Sequence, residues 1–231
     1  MSFLTRYDED TSKPTVTDAL KDLALRVIAP AVVLWCLIVR FGLLLKGPLK
    51  MFGTKEEMVN VRLAAGRTPT WDTITMLWSH IGNTEYVIGV CLLVIALVWW
   101  RTKKWWYAVI PGIAISVQAT VFVLATLVAD RSRPPVEHLD PAPPTSSYPS
   151  GHMGASTALY GTFALMAQRI DNKALRWVVT VLCVAAPLLV GYARLYRGMH
   201  HPSDVTVGAI NGIVSALLAW GYLRRRSSRD F

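Results

Sequence analysis

Three short stretches concentrate the residues able to do chemistry: DRSRPP at 130–135, YPSGH at 148–152 and ARLYRGMHHPSD at 193–204. Together they supply Arg131, Arg133, Arg194 and Arg197, three histidines (His152, His200, His201) and the acid Asp204. Arginine's planar fork matches phosphate oxygens two at a time and stays charged. Ser150, Gly151 and His152 fall where a helix would start, and free backbone N–H groups and the helix dipole there favour an anion. The set reads as an oxyanion site for phosphoryl transfer.

The histidines extend that reading. In HHPSD, Pro202 suits a first helical position, which puts Asp204 in the first turn and within reach of His200. A carboxylate on one imidazole nitrogen would orient the ring and leave the other nitrogen free to attack phosphorus. His152, from a different segment, could protonate the leaving oxygen and later activate water. One histidine as nucleophile and one as acid need no metal and no cofactor. Taken singly, each piece has an ordinary structural reading: a helix stop, a cap, a hydrogen-bonded His–Asp pair. Their joint occurrence carries the inference.

The elements that must position these residues are membrane helices. Of 231 residues, 53% are hydrophobic and only 17% charged, a composition far from that of an average soluble domain. A hydrocarbon core of about 30 Å takes about 20 mostly apolar helical residues. Six stretches approach that length, at 23–45, 84–100, 105–129, 153–168, 177–193 and 205–223. The fourth is the weakest because of its small and hydroxylated residues. The sequence therefore predicts an all-α polytopic membrane protein with six transmembrane helices over 23–223. A polar segment at 1–22 precedes them and a basic tail at 224–231 follows. Cys36, Cys91 and Cys183 each lie in an apolar run and read as packed thiols.

The net charge of +9 is scattered between apolar segments rather than gathered on a polar domain, which argues for membrane topology and against nucleic acid. One face collects fourteen of the twenty-four cations, in the N-terminal segment, the connectors after the second and fourth spans, and the tail; the other collects nine. The positive-inside rule puts both termini in the cytoplasm of a plasma or inner membrane. The segments 46–83, 130–151 and 194–204, and with them the site, then lie outside. Segment 46–83 is too long for a connector, and MFGTKEEMVNVRLAAGR within it reads as an amphipathic surface helix packing over the rim of the bundle.

In these motifs the chain resembles the type 2 phosphatidic acid phosphatase (PAP2) superfamily, which shares its core with vanadium haloperoxidases and bacterial acid phosphatases. The family pattern is Lys-x6-Arg-Pro, Pro-Ser-Gly-His and Ser-Arg-x5-His-x3-Asp. Arg133-Pro134, Pro149 to His152, and Arg194, His200 and Asp204 match it, with the likeness running over about 84–223. The resemblance implies a PAP2-like helical bundle and hydrolysis through a phosphohistidine. It implies His200 as nucleophile, Asp204 as its partner and His152 as general acid. Arg133, Arg194, Ser150 and Gly151 would hold the phosphate, with Arg131 a further candidate. The substrate it implies is a lipid phosphate or diphosphate: a polyprenyl diphosphate, phosphatidic acid or phosphatidylglycerol phosphate.

There are two departures from the pattern. Ala193 stands where the family has serine, and Thr126 where it has lysine. Three accounts of Thr126 are open. Arg131, Arg62 or Arg67 takes over the charge; or the site works with one cation fewer; or the protein binds or transports lipid phosphates without cleaving them.

Overall fold

The structure is a computed structural model, and it describes residues 4, 7, 13–142 and 145–224. It is helical throughout, with no strand among the described residues. Helix α1 runs Val16–Lys46, starting within the expected N-terminal segment, where the Thr15 hydroxyl accepts from the Asp18 N–H. A π turn at Ala24–Ile28 interrupts it just before Pro30, whose ring crowds the carbonyl four residues back. Helices α2 (Lys50–Ala65) and α3 (Pro69–His80) follow, then α4 (Thr84–Thr102) and α5 (Trp105–Ala129). The site segments enter through α6 (Gly151–Ala167), α7 (Lys173–Tyr196) and α8 (Pro202–Trp220).

Five of these, α1, α4, α5, α7 and α8, are long and apolar enough to cross a membrane. The remaining expected span, α6, has only 17 residues, about 25 Å at 1.5 Å per residue. Its low hydropathy follows from where it sits. It packs against α4, α5, α7 and α8, and Ser156, Thr157, Ala158, Leu159 and Thr162 are buried, so it meets protein rather than lipid. Small residues there let backbones approach closely. A Cβ on Gly212 of α8 would stand 2.6 Å from the Gly154 carbonyl oxygen, and one on Gly208 2.5 Å from that of Ser150. By contrast, α1 and α4 carry exposed Leu, Val, Ile and Trp side chains along their outer faces, as a lipid solvent requires. Cys91 and Cys183 are buried as expected, whereas Cys36 is exposed on α1.

Segment 46–83 forms two helices and reaches into the site; α2 is not the amphipathic helix expected, since its buried residues are Gly53, Glu56 and Asn60 rather than an apolar face. Asn60 on α2 donates to the carbonyl oxygens of Leu195 and His200, at 3.2 and 3.0 Å. Ser79 and Thr75 on α3 are buried against Arg194 of α7 and Arg197 just beyond it.

Candidate active site

The connection from α7 to α8, Arg197 to His201, is irregular backbone buried in protein, so its carbonyl groups need donors. Side chains from elsewhere supply them. Arg133 donates to Met199 O at 2.7 Å and Asn60 to His200 O, while Arg67 donates at 2.9 Å to the O of Tyr196, the last residue of α7. This clamps His200, which is 5% exposed, in one orientation. Its Nδ1 lies 2.7 Å from the carbonyl oxygen of Ser147. A carbonyl only accepts, so Nδ1 carries the proton and a neutral His200 keeps its lone pair on Nε2. Burial, reinforced by the Arg194 and Arg133 charges, pushes the His200 pKa well below the ordinary histidine value, which maintains that neutral form.

Asp204 is placed differently from expectation. Its Oδ2 is 4.0 Å from His200 Nδ1, too far for a hydrogen bond. It accepts instead from the backbone N–H of His201 at 2.8 Å and lies 3.1 Å from His201 Nδ1, closing a capping box at the start of α8. The other oxygen takes Arg131 Nη1 at 2.7 Å. The spacing His-x3-Asp permits either histidine, and the turn before Pro202 presents His201.

Arg131 is likewise turned away from the anion site. Its fork is filled by Asp204, the Ser203 hydroxyl and Glu56 of α2, and Glu56 also accepts from the Ser203 N–H at 2.8 Å. Burial acts against the guanidinium, but Asp204 and Glu56 hold its pKa above the ordinary value. This buried network ties α2, the 130–151 loop and α8 together.

Arg133, Gly151, His152, Arg194 and His200 line one cavity of about 660 Å³. Arg194, 4% exposed, donates from Nη1 to Asp140 at 2.7 Å and Ser79 at 2.8 Å. The Nε atoms of Arg133 and Arg194 are both buried without a partner. Orphaned cationic donors beside one cavity call for an anion. Burial lowers the Arg133 pKa in spite of Asp204, a shift that a bound dianion would relieve. Ser150 serves differently from expectation: its hydroxyl caps α6 through the Met153 N–H at 3.5 Å, and its own N–H donates to Asp204 O. The backbone donors left at the helix start are those of Gly151 and His152.

Two pieces of the cavity wall were not foreseen. Asp140, from the proline-rich loop, bridges Arg194 and Arg197. Burial favours its neutral acid, but hydrogen bonds and charges from both arginines hold its pKa below the usual carboxylate range. Arg197 is therefore a buried structural cation, 5% exposed, held by Asp140 rather than free for an anion. The second piece is the α3–α4 junction, where Asn83 Oδ1 lies 2.9 Å from His152 Nε2 and His80 adds a third imidazole to the lining. No motif marks either one in the sequence.

Thr126 back-bonds to Phe122 O at 2.9 Å and is not part of the wall. Arg133 and Arg194 are the arginines of the lining, and no lysine joins them among the described residues. Arg67 is engaged by Tyr196 O and Glu137, and Arg62 lies outside the cavity. None of the three candidate substitutes lines the cavity.

Toward α4 and α5 the wall becomes apolar, through Val87, Ile88, Ile115, Ala119 and Val123. The cavity therefore has a cationic end, where Arg133, Arg194 and His200 meet, and an apolar end.

The chain is similar to known proteins in sequence and in fold. Residues 104–228 match the family model of the PAP2 superfamily. The chain is 26% identical over 186 residues to an undecaprenyl-diphosphatase of Sulfolobus acidocaldarius, covering 77% of this chain and 85% of that one. It is 30% identical over 144 residues to undecaprenyl-diphosphatase BcrC of Bacillus subtilis, covering 58% and 68%. Among solved structures, it superposes on a transmembrane PAP2 type phosphatidylglycerolphosphate phosphatase from Bacillus subtilis with a TM-score of 0.73 at 18% identity, over 83% of this chain and 94% of the other. LpxE of Aquifex aeolicus superposes with a TM-score of 0.57 at 19% identity, over 71% and 92%.

Proposed function

Because the chain belongs to the PAP2 superfamily, we propose that it is a membrane phosphatase removing the terminal phosphate of a polyprenyl diphosphate. The observation that carries this reading is that His200, His152, Arg133 and Arg194 line one cavity whose far wall is apolar. Such a cavity suits an amphiphile with a charged head and a hydrocarbon tail. Among lipid phosphates, the diphosphate of a polyprenol is favoured by the two undecaprenyl-diphosphatase relatives.

In the first step Nε2 of His200 attacks the terminal phosphorus. The bond to the bridging oxygen breaks, and His152 gives that oxygen its proton. Arg133, Arg194 and the N–H groups of Gly151 and His152 hold the charge spread over the three equatorial oxygens. In the second step water attacks the phosphohistidine, His152 takes a proton from it, and inorganic phosphate leaves with His200 restored. Asp204 acts at a distance, by fixing the turn that carries His200.

The excess of cations on the face holding the termini supports a site on the extracytoplasmic side, with both termini in the cytoplasm. The rival reading, a lipid-phosphate binding or transport protein, is motivated by Thr126 and a cavity without lysine. Phosphate release from purified protein over polyprenyl diphosphates, phosphatidic acid and phosphatidylglycerol phosphate separates the two, with His200→Ala as control. Fastest release from the polyprenyl diphosphate is expected. Equal background release by both proteins would end the enzyme reading.

A further inference from the structure

Asn83 occupies the N-cap of α4, a position where asparagine usually accepts from a backbone N–H in the first turn. It makes no such bond. Its carboxamide oxygen is spent instead on His152 Nε2, 2.9 Å away. The preceding residue permits this approach. A Cβ on Gly82 would stand 3.0 Å from the His152 carbonyl oxygen and 3.1 Å from its Cβ, so a larger residue would hold the α3–α4 junction off the imidazole. Asn83 and His152 both face the cavity.

We propose that Asn83 is the positioning residue of the general acid, fixing the ring and the tautomer of His152. The inference rests on the reading of His152 as acid given above. A carboxamide oxygen only accepts, so Nε2 keeps its proton in both charge states of the ring. The neutral imidazole then has its lone pair on Nδ1, and the imidazolium carries its second proton there. Nδ1 has no partner among the described residues and is the nitrogen that works. Its proton passes to the leaving oxygen as the P–O bond breaks. Nδ1 then takes a proton from water as the new P–O bond forms and the N–P bond of the phosphohistidine breaks. The carboxamide plays toward His152 the part that the Ser147 carbonyl plays toward His200, and the two histidines are held in opposite tautomers.

The test uses the full chain in detergent and two aryl esters of one shape. Phenyl phosphate expels a phenol of pKa about 10 and needs the acid, whereas 4-nitrophenyl phosphate expels a far weaker base. Because kcat/KM reports steps only through departure of the leaving group, turnover of the phosphohistidine does not enter. Asn83→Leu, of similar size but without an acceptor, is expected to lose about tenfold or more on phenyl phosphate, part of the about 100-fold or more that a general acid supplies. It should be nearly unchanged on the nitrophenyl ester. Asn83→Asp, which keeps an acceptor oxygen, is expected to restore the ratio between the two esters. Equal losses on both esters would overturn the proposal. Should Asn83→Leu not fold, the Asn83→Asp ratio and the imidazole ¹⁵N spectrum of the unsubstituted protein decide: protonated Nε2 on neutral His152 supports the assignment, and protonated Nδ1 refutes it. His152→Gln separates the two levels. If it too is indifferent to the leaving group, the acid role of His152 falls. If it is sensitive while Asn83→Leu is not, only the role of Asn83 falls.

Discussion

His200 Nδ1 is 2.7 Å from the carbonyl oxygen of Ser147, while the nearer oxygen of Asp204 is 4.0 Å from it. His200, the proposed nucleophile, is therefore oriented by the backbone of the loop before α6, and the acid of the His-x3-Asp motif works on the scaffold. Because the orienting group is a main-chain carbonyl, no side-chain substitution at 147 removes it.

Replacing Asp204 tests this division. Asp204→Ala strands Arg131 in a buried network, and breaking a buried pair from one side costs about 3–5 kcal/mol. We expect a marked fall in melting temperature. Activity per folded molecule should exceed that of His200→Ala by about tenfold or more, since a loss confined to positioning is smaller than loss of the nucleophile. Equal inactivity of two well-folded variants would mean that Asp204 reaches His200 during turnover.

The acid limb of the pH profile reports His200. As the proposed nucleophile His200 must be neutral, and its pKa is depressed, so activity should persist as pH falls through about 6.5, the ordinary value, and fail only well below it. The Arg133 charge is one cause of the depression. Arg133→Gln should therefore raise the limb toward the ordinary value while weakening phosphate binding. A kcat/KM profile for both proteins checks the sign.

Arg131 and Arg194 should separate cleanly in kinetics. Arg131→Gln is expected to lower thermal stability and leave KM nearly unchanged, because its fork is filled by Glu56, Ser203 and Asp204. Arg194→Gln removes a proposed donor to the transition-state oxyanion, with an expected loss of about 100- to 1000-fold by analogy with other preorganised donors. Melting curves and steady-state kinetics on each variant distinguish the roles.

Thr126→Lys asks what the missing cation is worth. Thr126 lies one turn beyond Phe122, which lines the cavity, so a lysine stem can extend toward the anion. A tenfold tighter inhibition by vanadate would correspond to about 1.4 kcal/mol. Unchanged inhibition would show that Arg133 and Arg194 suffice.

Asp140 links the site to stability at low pH. Its folded pKa is depressed, so its contribution is complete above the ordinary carboxylate range and is lost as pH falls through the folded value. Asp140→Asn should melt well below the unsubstituted protein at neutral pH, with the difference shrinking toward strong acid. A constant difference across pH would point to lost packing instead.

Much of this was legible in the sequence, and the exceptions share a cause. The spacing of Arg133, His152, Arg194 and His200 brought the four to one cavity because each belongs to a local motif at a helix end. Asp204, Arg131 and Ser150 sit in the same motifs but face other partners, since neighbouring side chains in a turn point apart and spacing cannot say which way. Glu56, Asn60, Asn83 and Asp140 come from segments with no motif, where a glutamate on an amphipathic helix or an asparagine before a helix has an ordinary local explanation. Helix α6 looked weak as a span for the opposite reason, because hydropathy measures contact with lipid and α6 has little.

The seam between α6 and α8 sets unequal limits on sequence drift. Where the Gly154 carbonyl meets Gly212 and the Ser150 carbonyl meets Gly208, one added methyl group would wedge the helices apart and carry His152 with them. Paralogues of this chain can thus diversify freely on the outer faces of α1 and α4 while this pair of helices stays frozen. Laboratory evolution toward new headgroups will not find its room at the heart of the bundle.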